Sequence, residues 1–270
     1  MFYLKISEFA MKKLLLATAV AMALSACGGT KLPWKKNKVA ESSTHSSIPA
    51  QVDTVAKSAD SAAEKLKRKE SSVIAYFDKE GNLVDTAQKG GFYRKLLGRN
   101  KAGLAVVQDF YQDNQAKQTN PMVIPDDKNL KNFDSAIAEG RVIWYSPEGK
   151  VTEFLDYHKG LVQRGGYYNE AGVLVLETEG DNSKDVNAKV KVRGFYENGT
   201  LLFENTQEKN DSASVFYYDN GQKMWHGVSN SETIHAWTKD GKPVELSDIS
   251  EAVAAAEKRA RELMQKYMAN

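Results

Sequence analysis

Four histidines, one cysteine and a run of carboxylates are the residues of this 270-residue chain whose types could do chemistry. His45, His158, His226 and His235 could act as general bases or metal ligands. None of their separations matches a local metal-ligand spacing. Each is read as a surface or strand-pairing histidine, and neither a metal nor a cofactor is expected. Glu177, Glu179, Asp181 and Asp185 alternate through one stretch, the kind that offers oxygen ligands to Ca2+. The glycine that an EF-hand loop requires is replaced there by Asn182, so the stretch reads as a solvated loop. The chain has no Gly-x-Ser-x-Gly elbow, no phosphate-cradling glycine loop and no His-Glu-x-x-His pair. A non-catalytic protein is expected. An enzyme would need His226, His235 and an acidic residue to meet in one cleft. Cys27 is the only thiol, which excludes disulfides and multi-cysteine metal sites within the chain.

The position of Cys27 explains it better than burial would. Met11-Lys12-Lys13 supplies positive charge, and the apolar stretch Leu14–Leu24 is too short to span a bilayer as a mature helix. The sequence that follows, Leu24-Ser25-Ala26-Cys27, resembles a bacterial lipobox. That resemblance implies cleavage of residues 1–26, lipid on the Cys27 sulfur and new amine, and an outer-membrane address, because Gly28 and not aspartate follows the cysteine. Two or three acyl chains hold a protein on a bilayer stably where one would not. Met1–Ala10 lies upstream of the charged start, so translation is expected to begin at Met11. The signal and lipobox read the same for a periplasmic and a surface-facing protein.

Residues 27–70 read as the lipidated cysteine and a tether. Lys31–Glu70 is rich in serine, lysine and alanine and has too few large apolar residues to build a core. Trp34 sits among Lys31, Lys35, Lys36 and Lys38. That group suits anionic headgroups with the indole at the interface, and equally a solvated linker with one aromatic. Gln51–Glu70 has helix-forming composition. Removal of residues 1–26 takes Lys5, Lys12, Lys13 and Glu8, leaving 34 basic and 34 acidic residues. Such balance argues against nucleic acid as a partner, since phosphate binding needs a net basic face.

The elements that would position any site lie in residues 71–245, which repeat. Trp144-Tyr145-Ser146-Pro147-Glu148-Gly149, Tyr167-Tyr168-Asn169-Glu170-Ala171-Gly172, Phe195-Tyr196-Glu197-Asn198-Gly199 and Tyr217-Tyr218-Asp219-Asn220-Gly221 are four copies. Ala236-Trp237-Thr238-Lys239-Asp240-Gly241 is a worn fifth. The turn glycines recur at intervals of 23, 27, 22 and 20 residues, a period that marks a repeat array. Tyr76–Gly81 fits the pattern earlier in the chain, and Phe110-Tyr111-Gln112-Asp113-Asn114 fits it without the glycine. The array is therefore expected to begin near Val73 and to be interrupted in the middle.

Asn198-Gly199 and Asn220-Gly221 predict tight type I′ turns with positive φ at both central residues. The flanks alternate as half-buried strands do, in Lys189–Arg193 for example. Each unit thus predicts a β-hairpin that needs stacked neighbours to bury its apolar face. Gln115–Gly140 is the least regular stretch, with Pro121 and Pro125, and is compatible with a short helix around Leu130–Ala138.

The aromatic-Tyr-x-x-Gly pattern at this period resembles the MORN-variant repeat of bacterial proteins, and is similar to the YwqK-type, antitoxin-like family. The resemblance covers about 100 residues. It implies a hairpin array and, by the family label, an immunity or antitoxin-like role at the envelope. These copies lack the denser glycine set of eukaryotic MORN repeats, so no lipid-binding role is carried over from those.

Residues 246–270 change character. Ile249, Val253, Ala256, Ala260, Leu263 and Tyr267 form a stripe at helical spacing, with Ser247, Asp248 and Ser250 as cap candidates and Asp248 with Glu251 as a capping box. The stripe suits a helix covering the sheet, and alternatively one that meets a partner. The fold expected is mainly β: antiparallel hairpin repeats in an extended meander sheet, with a C-terminal α-helix. The turn glycines Gly81, Gly149, Gly172, Gly199, Gly221 and Gly241 are structural. Trp144, Tyr168, Tyr196, Tyr218, Trp225 and Trp237 are the candidate binding surface. Adjacent aromatics on a strand face opposite ways, so about half of the aromatic positions are expected in the core. The function expected is a membrane-anchored, non-catalytic module that binds a protein partner or glycan of the cell envelope.

Overall fold

The structure, a computed structural model, describes residues 66–180, 188–229, 231 and 234–268. Cys27, Trp34, the leader and most of the tether lie outside the described residues, as do Asp181 and Asp185. The described residues are mainly β, with two antiparallel sheets of hairpin-connected strands and a single C-terminal helix among them. It divides into two compact units, with residue 191 ending the first and residue 192 opening the second. The stretch read as one repeat domain is thus shared between two units.

In the first unit, β1 (Leu66–Phe77), β2 (Leu83–Val84), β3 (Phe92–Asn100), β4 (Ala105–Tyr111) and β5 (Met122–Ile124) form a five-stranded sheet in the order β2-β1-β3-β4-β5. This is not a simple meander, because β1 pairs on one side with β2 and on the other with β3. β1 also begins at Leu66, inside the stretch read as tether, so Leu66–Glu70 is strand despite the helix-forming composition of Gln51–Glu70. Phe77 and Phe92 are fully buried and meet Phe133 at 4.6 and 5.2 Å between ring centroids. Phe133 thereby draws the irregular segment after β5 onto the sheet. That segment holds two single 3-10 turns, Asp127–Asn129 and Ser135–Ile137, where the sequence was compatible with a helix. Asp134 explains the difference within Leu130–Ala138: its backbone is extended and its carboxylate accepts the Ala136 N–H, so it caps a new turn in the middle of the stretch and no single helix runs through it.

Four further strands complete the unit: β6 (Gly140–Tyr145), β7 (Val151–His158), β8 (Leu161–Tyr168) and β9 (Leu174–Gly180), each antiparallel to the next. The second unit continues from β10 (Val190–Phe195) with β11 (Leu201–Glu208), β12 (Asp211–Tyr217), β13 (Lys223–Val228), β14 (His235–Trp237) and β15 (Pro243–Val244). β11 to β15 pair in sequence. A stacked aromatic row runs across three of these strands, with Phe203 to Phe216 at 5.7 Å and Phe216 to Trp225 at 5.1 Å. Gly194 is matched to that row. A Cβ there would lie 2.1 Å from Phe203 Cε1, so the ring occupies the space that a side chain would fill. Gly166 stands in the same relation to Phe154, at 2.2 Å. Two strand glycines thus exist to admit a phenyl ring.

The helix, α1 (Ser250–Met268), packs on β11 and on the 3-10 turn Leu246–Ile249 that precedes it. Ala256, Ala260 and Met268 are its buried residues, while Val253, Leu263 and Tyr267 of the expected stripe are only half-buried. The capping box is formed by Glu245 and Asp248 on the 3-10 turn, and not by Asp248 and Glu251. The chain tightens for one turn before the α-helix begins, which moves the box three residues upstream.

Candidate functional site

The glycine turns are the feature that recurs, and they share one geometry. At Gly199 the glycine N–H donates to Tyr196 O at 2.9 Å and the Tyr196 N–H donates to Thr200 O at 2.8 Å. The same pair of bonds closes the turns at Gly81, Gly149, Gly172, Gly221 and Gly241. It also closes the turn at Gly103, which sequence reading missed because Arg99 stands where the other copies carry an aromatic. Only the glycine has positive φ, +80° at Gly199 and +82° at Gly221, while Asn198 and Asn220 do not. These are three-residue loops ending in a glycine bulge, and not the two-residue type I′ turns expected from Asn-Gly. Asparagine serves through its side chain instead: the Oδ1 atoms of Asn198 and Asn220 accept from the N–H of Thr200 and Gln222. A two-residue turn with both φ values positive does occur, at Lys159-Gly160, where Lys159 has φ +51° and Gly160 +77°.

Side chains tie each turn to the next. In the second unit the Tyr196 hydroxyl donates to Tyr217 O at 2.8 Å, and the Tyr218 hydroxyl to Trp237 O at 2.9 Å. Asn198 Nδ2 donates to Asp219 O and Asn220 Nδ2 to Lys239 O, at 2.9 and 3.0 Å. In the first unit the Tyr111 hydroxyl donates to Tyr145 O at 2.8 Å, and Asn114 Nδ2 to Pro147 O at 3.0 Å. The turn after Tyr111 lacks a glycine, and Gln115 takes the left-handed conformation in its place, at φ +59°. Burial, aided by the nearby charge of Glu148 or Asp219, pushes the phenols of Tyr111 and Tyr196 up to about 12. Both therefore remain protonated donors at neutral pH. Arg259 from α1 donates to Glu197 Oε1 at 3.1 Å, with its guanidinium 5.7 Å from the centre of the Tyr196 ring. The helix is hooked to a turn as well as packed on a strand.

The six candidate surface aromatics separate into two groups. Tyr168, Tyr218 and Trp225 are buried, at 4%, 8% and 2% exposure, and act in packing. Trp144, Tyr196 and Trp237 are half-buried and present part of their rings to solvent. Trp144 lies on a cross-strand rung with Glu153 and Tyr167. Burial pushes the Glu153 carboxyl up to about 7, against the hydrogen bond to Tyr167 that draws it down. The opposite face of the same strands carries charge pairs. Arg141 donates to both carboxylate oxygens of Asp156 at 2.6 and 2.7 Å, and Arg164 donates to Glu177 from Nε and Nη2. The buried ring of Phe154 lies 4.5 Å from the Arg141 guanidinium and 5.7 Å from that of Arg164. Glu177 is thus engaged by an arginine.

The histidines part company. His158 shares a hydrogen bond of 2.7 Å with Glu139. His226 and His235 stand directly opposite each other on β13 and β14. Sequence spacing hid this pairing, because what brings the two together is strand register. Among the described residues no group of three or more His, Cys, Asp or Glu side chains is placed to hold a metal ion. Sequence reading also missed Arg94 and Asp109, buried at 1% and 3% exposure and joined by two bonds of 2.6 and 2.7 Å. Only their alternation with Tyr93 and Phe110 on facing strands hinted at them. Among the described residues no helix is long and apolar enough to cross a membrane. A scan against protein-family models finds no match to this chain, and a search of the curated proteins finds none either.

Proposed function

We propose that this chain is a lipid-anchored protein of the bacterial outer membrane that binds another envelope component through its hairpin repeats, without catalysis. The observation that carries this reading is the row of turns tied together by tyrosine hydroxyls and asparagine amides. Such ties make a stiff edge, and stiffness lowers the entropy lost on binding. Half-exposed Tyr196 and Trp237 sit at or beside these turns, and half-exposed Trp144 sits beside the corresponding tie of the first unit. Large aromatics with a polar tip are favoured at interfaces. The anchor is supported by Cys27, the sole cysteine, placed directly after a charged and apolar leader. A lipid anchor would hold the repeats at the envelope, where a protein partner or glycan is within reach.

The test is cross-linked recovery of partners from intact envelopes, comparing the native chain with Cys27→Ser and with a Trp144/Tyr196/Trp237→Ala triple variant. The proposal expects Cys27→Ser to leave the membrane fraction and the triple variant to lose a partner that the native chain retains. It is overturned if Cys27→Ser stays membrane-bound, or if the triple variant, still folded, recovers the same partners.

A further inference from the structure

The register of β13 and β14 places His226 against His235. Directly opposed residues of an antiparallel pair leave the sheet on the same face, with Cβ atoms ~4.5–5.5 Å apart. His235 is exposed, and its ring lies 6.1 Å from that of Trp237 at an interplanar angle of 26°. The indole thus stands along one side of this imidazole. His226 is half-buried, with Val215 opposite it on β12. A neutral imidazole binds Zn2+ at ~2.0–2.1 Å. Two rings rooted about 5 Å apart on one face can converge on a single ion at such distances. The strands hold both rings in place, so the second nitrogen reaches the ion at high effective concentration once the first has bound.

We propose that His226 and His235 form a two-histidine surface site for a divalent transition-metal ion, with water or a small exogenous ligand completing the coordination. The donor set fixes the preference. Two imidazole nitrogens bind Cu2+ more tightly than Zn2+ or Ni2+, by the Irving–Williams order. Coordination positions left to water also leave the ion open to exchange. This site borders the aromatic turn row at Trp237 and does not depend on the anchor.

The experiment is titration of the detergent-solubilised full chain with Cu2+, followed by calorimetry and electron paramagnetic resonance. The expected result is one Cu2+ per chain with two imidazole nitrogens in the spectrum. Affinity should fall at least ~10-fold in His226→Asn and in His235→Asn. It should be unchanged in His158→Asn and His45→Asn. His235 is exposed, so its variant tests the site even where His226→Asn weakens the sheet. Far-UV circular dichroism checks that each variant is folded. Unchanged affinity in folded His235→Asn, a loss in His45→Asn, or no binding by the native chain at micromolar Cu2+ overturns the proposal.

Discussion

Replacing Arg94 by methionine probes the deepest charge pair of the first unit. Arg94 donates from Nε and Nη2 to Asp109 at 2.6 and 2.7 Å, and from Nη1 to the carbonyls of Leu130 and Asn132 at 3.2 and 2.7 Å. Both side chains are almost wholly buried, at 1% and 4% exposure. Methionine fills much of the same volume but leaves the Asp109 carboxylate without its counter-charge. Breaking one half of a buried pair costs about 3–5 kcal/mol, most of it the penalty of the stranded ion. For a unit of this size that corresponds to a fall in Tm of ~10–20 °C. The double variant Arg94→Met/Asp109→Leu removes the stranded ion, so it should recover most of the loss, with a coupling of about 2 kcal/mol or more. Urea unfolding followed by circular dichroism measures all three. Hydrogen exchange adds a local readout, because the segment around Leu130–Asn132 loses its anchor in both variants and should exchange faster in both. A loss below about 1 kcal/mol in Arg94→Met, or strict additivity in the double variant, would refute this account.

Three further outcomes follow from the same geometry. Gly194→Ala should destabilise by about 1–3 kcal/mol through the clash with Phe203, and Gly194→Ala/Phe203→Leu should recover part of that in thermal unfolding. Gly221→Ala meets no atom within 4 Å, so its loss of about 1–2 kcal/mol reports the left-handed backbone alone, and Gly221→Asn should lose less. Glu153→Gln tests the raised carboxyl. Its folded pKa of about 7 exceeds the ordinary 4.5, so the stability it contributes is complete below about pH 4.5 and is lost as pH rises through 7. Glutamine should therefore stabilise the protein by about 1–3 kcal/mol at pH 8 and by almost nothing at pH 4, the upper figure being softened because Glu153 keeps some contact with water. Denaturant midpoints at the two pH values decide it.

The sequence by itself determined the hairpins from Trp144 onward, the glycine turns that follow an aromatic residue, and the C-terminal helix. Those features are encoded within a few consecutive residues. Only glycine adopts positive φ at no steric cost, so Gly149, Gly172, Gly199, Gly221 and Gly241 mark turns wherever the chain goes. The stripe through Ala256 and Ala260 marks a helix for the same local reason. The type of turn was less legible, because Asn198 fits either a backbone or a side-chain role, and its bond to Thr200 decides between them. Tertiary structure alone decided which residues meet across strands. Bulges within the strands add a residue to one side: the register skips Met224 between Phe216 and Tyr217, and Thr152 between Trp144 and Tyr145. One such residue moves every later side chain to the other face. Whether Tyr168 is buried and Trp144 half-exposed, and whether Arg94 finds Asp109 or His226 finds His235, depends on that count summed along the strands, which no local run of residues contains.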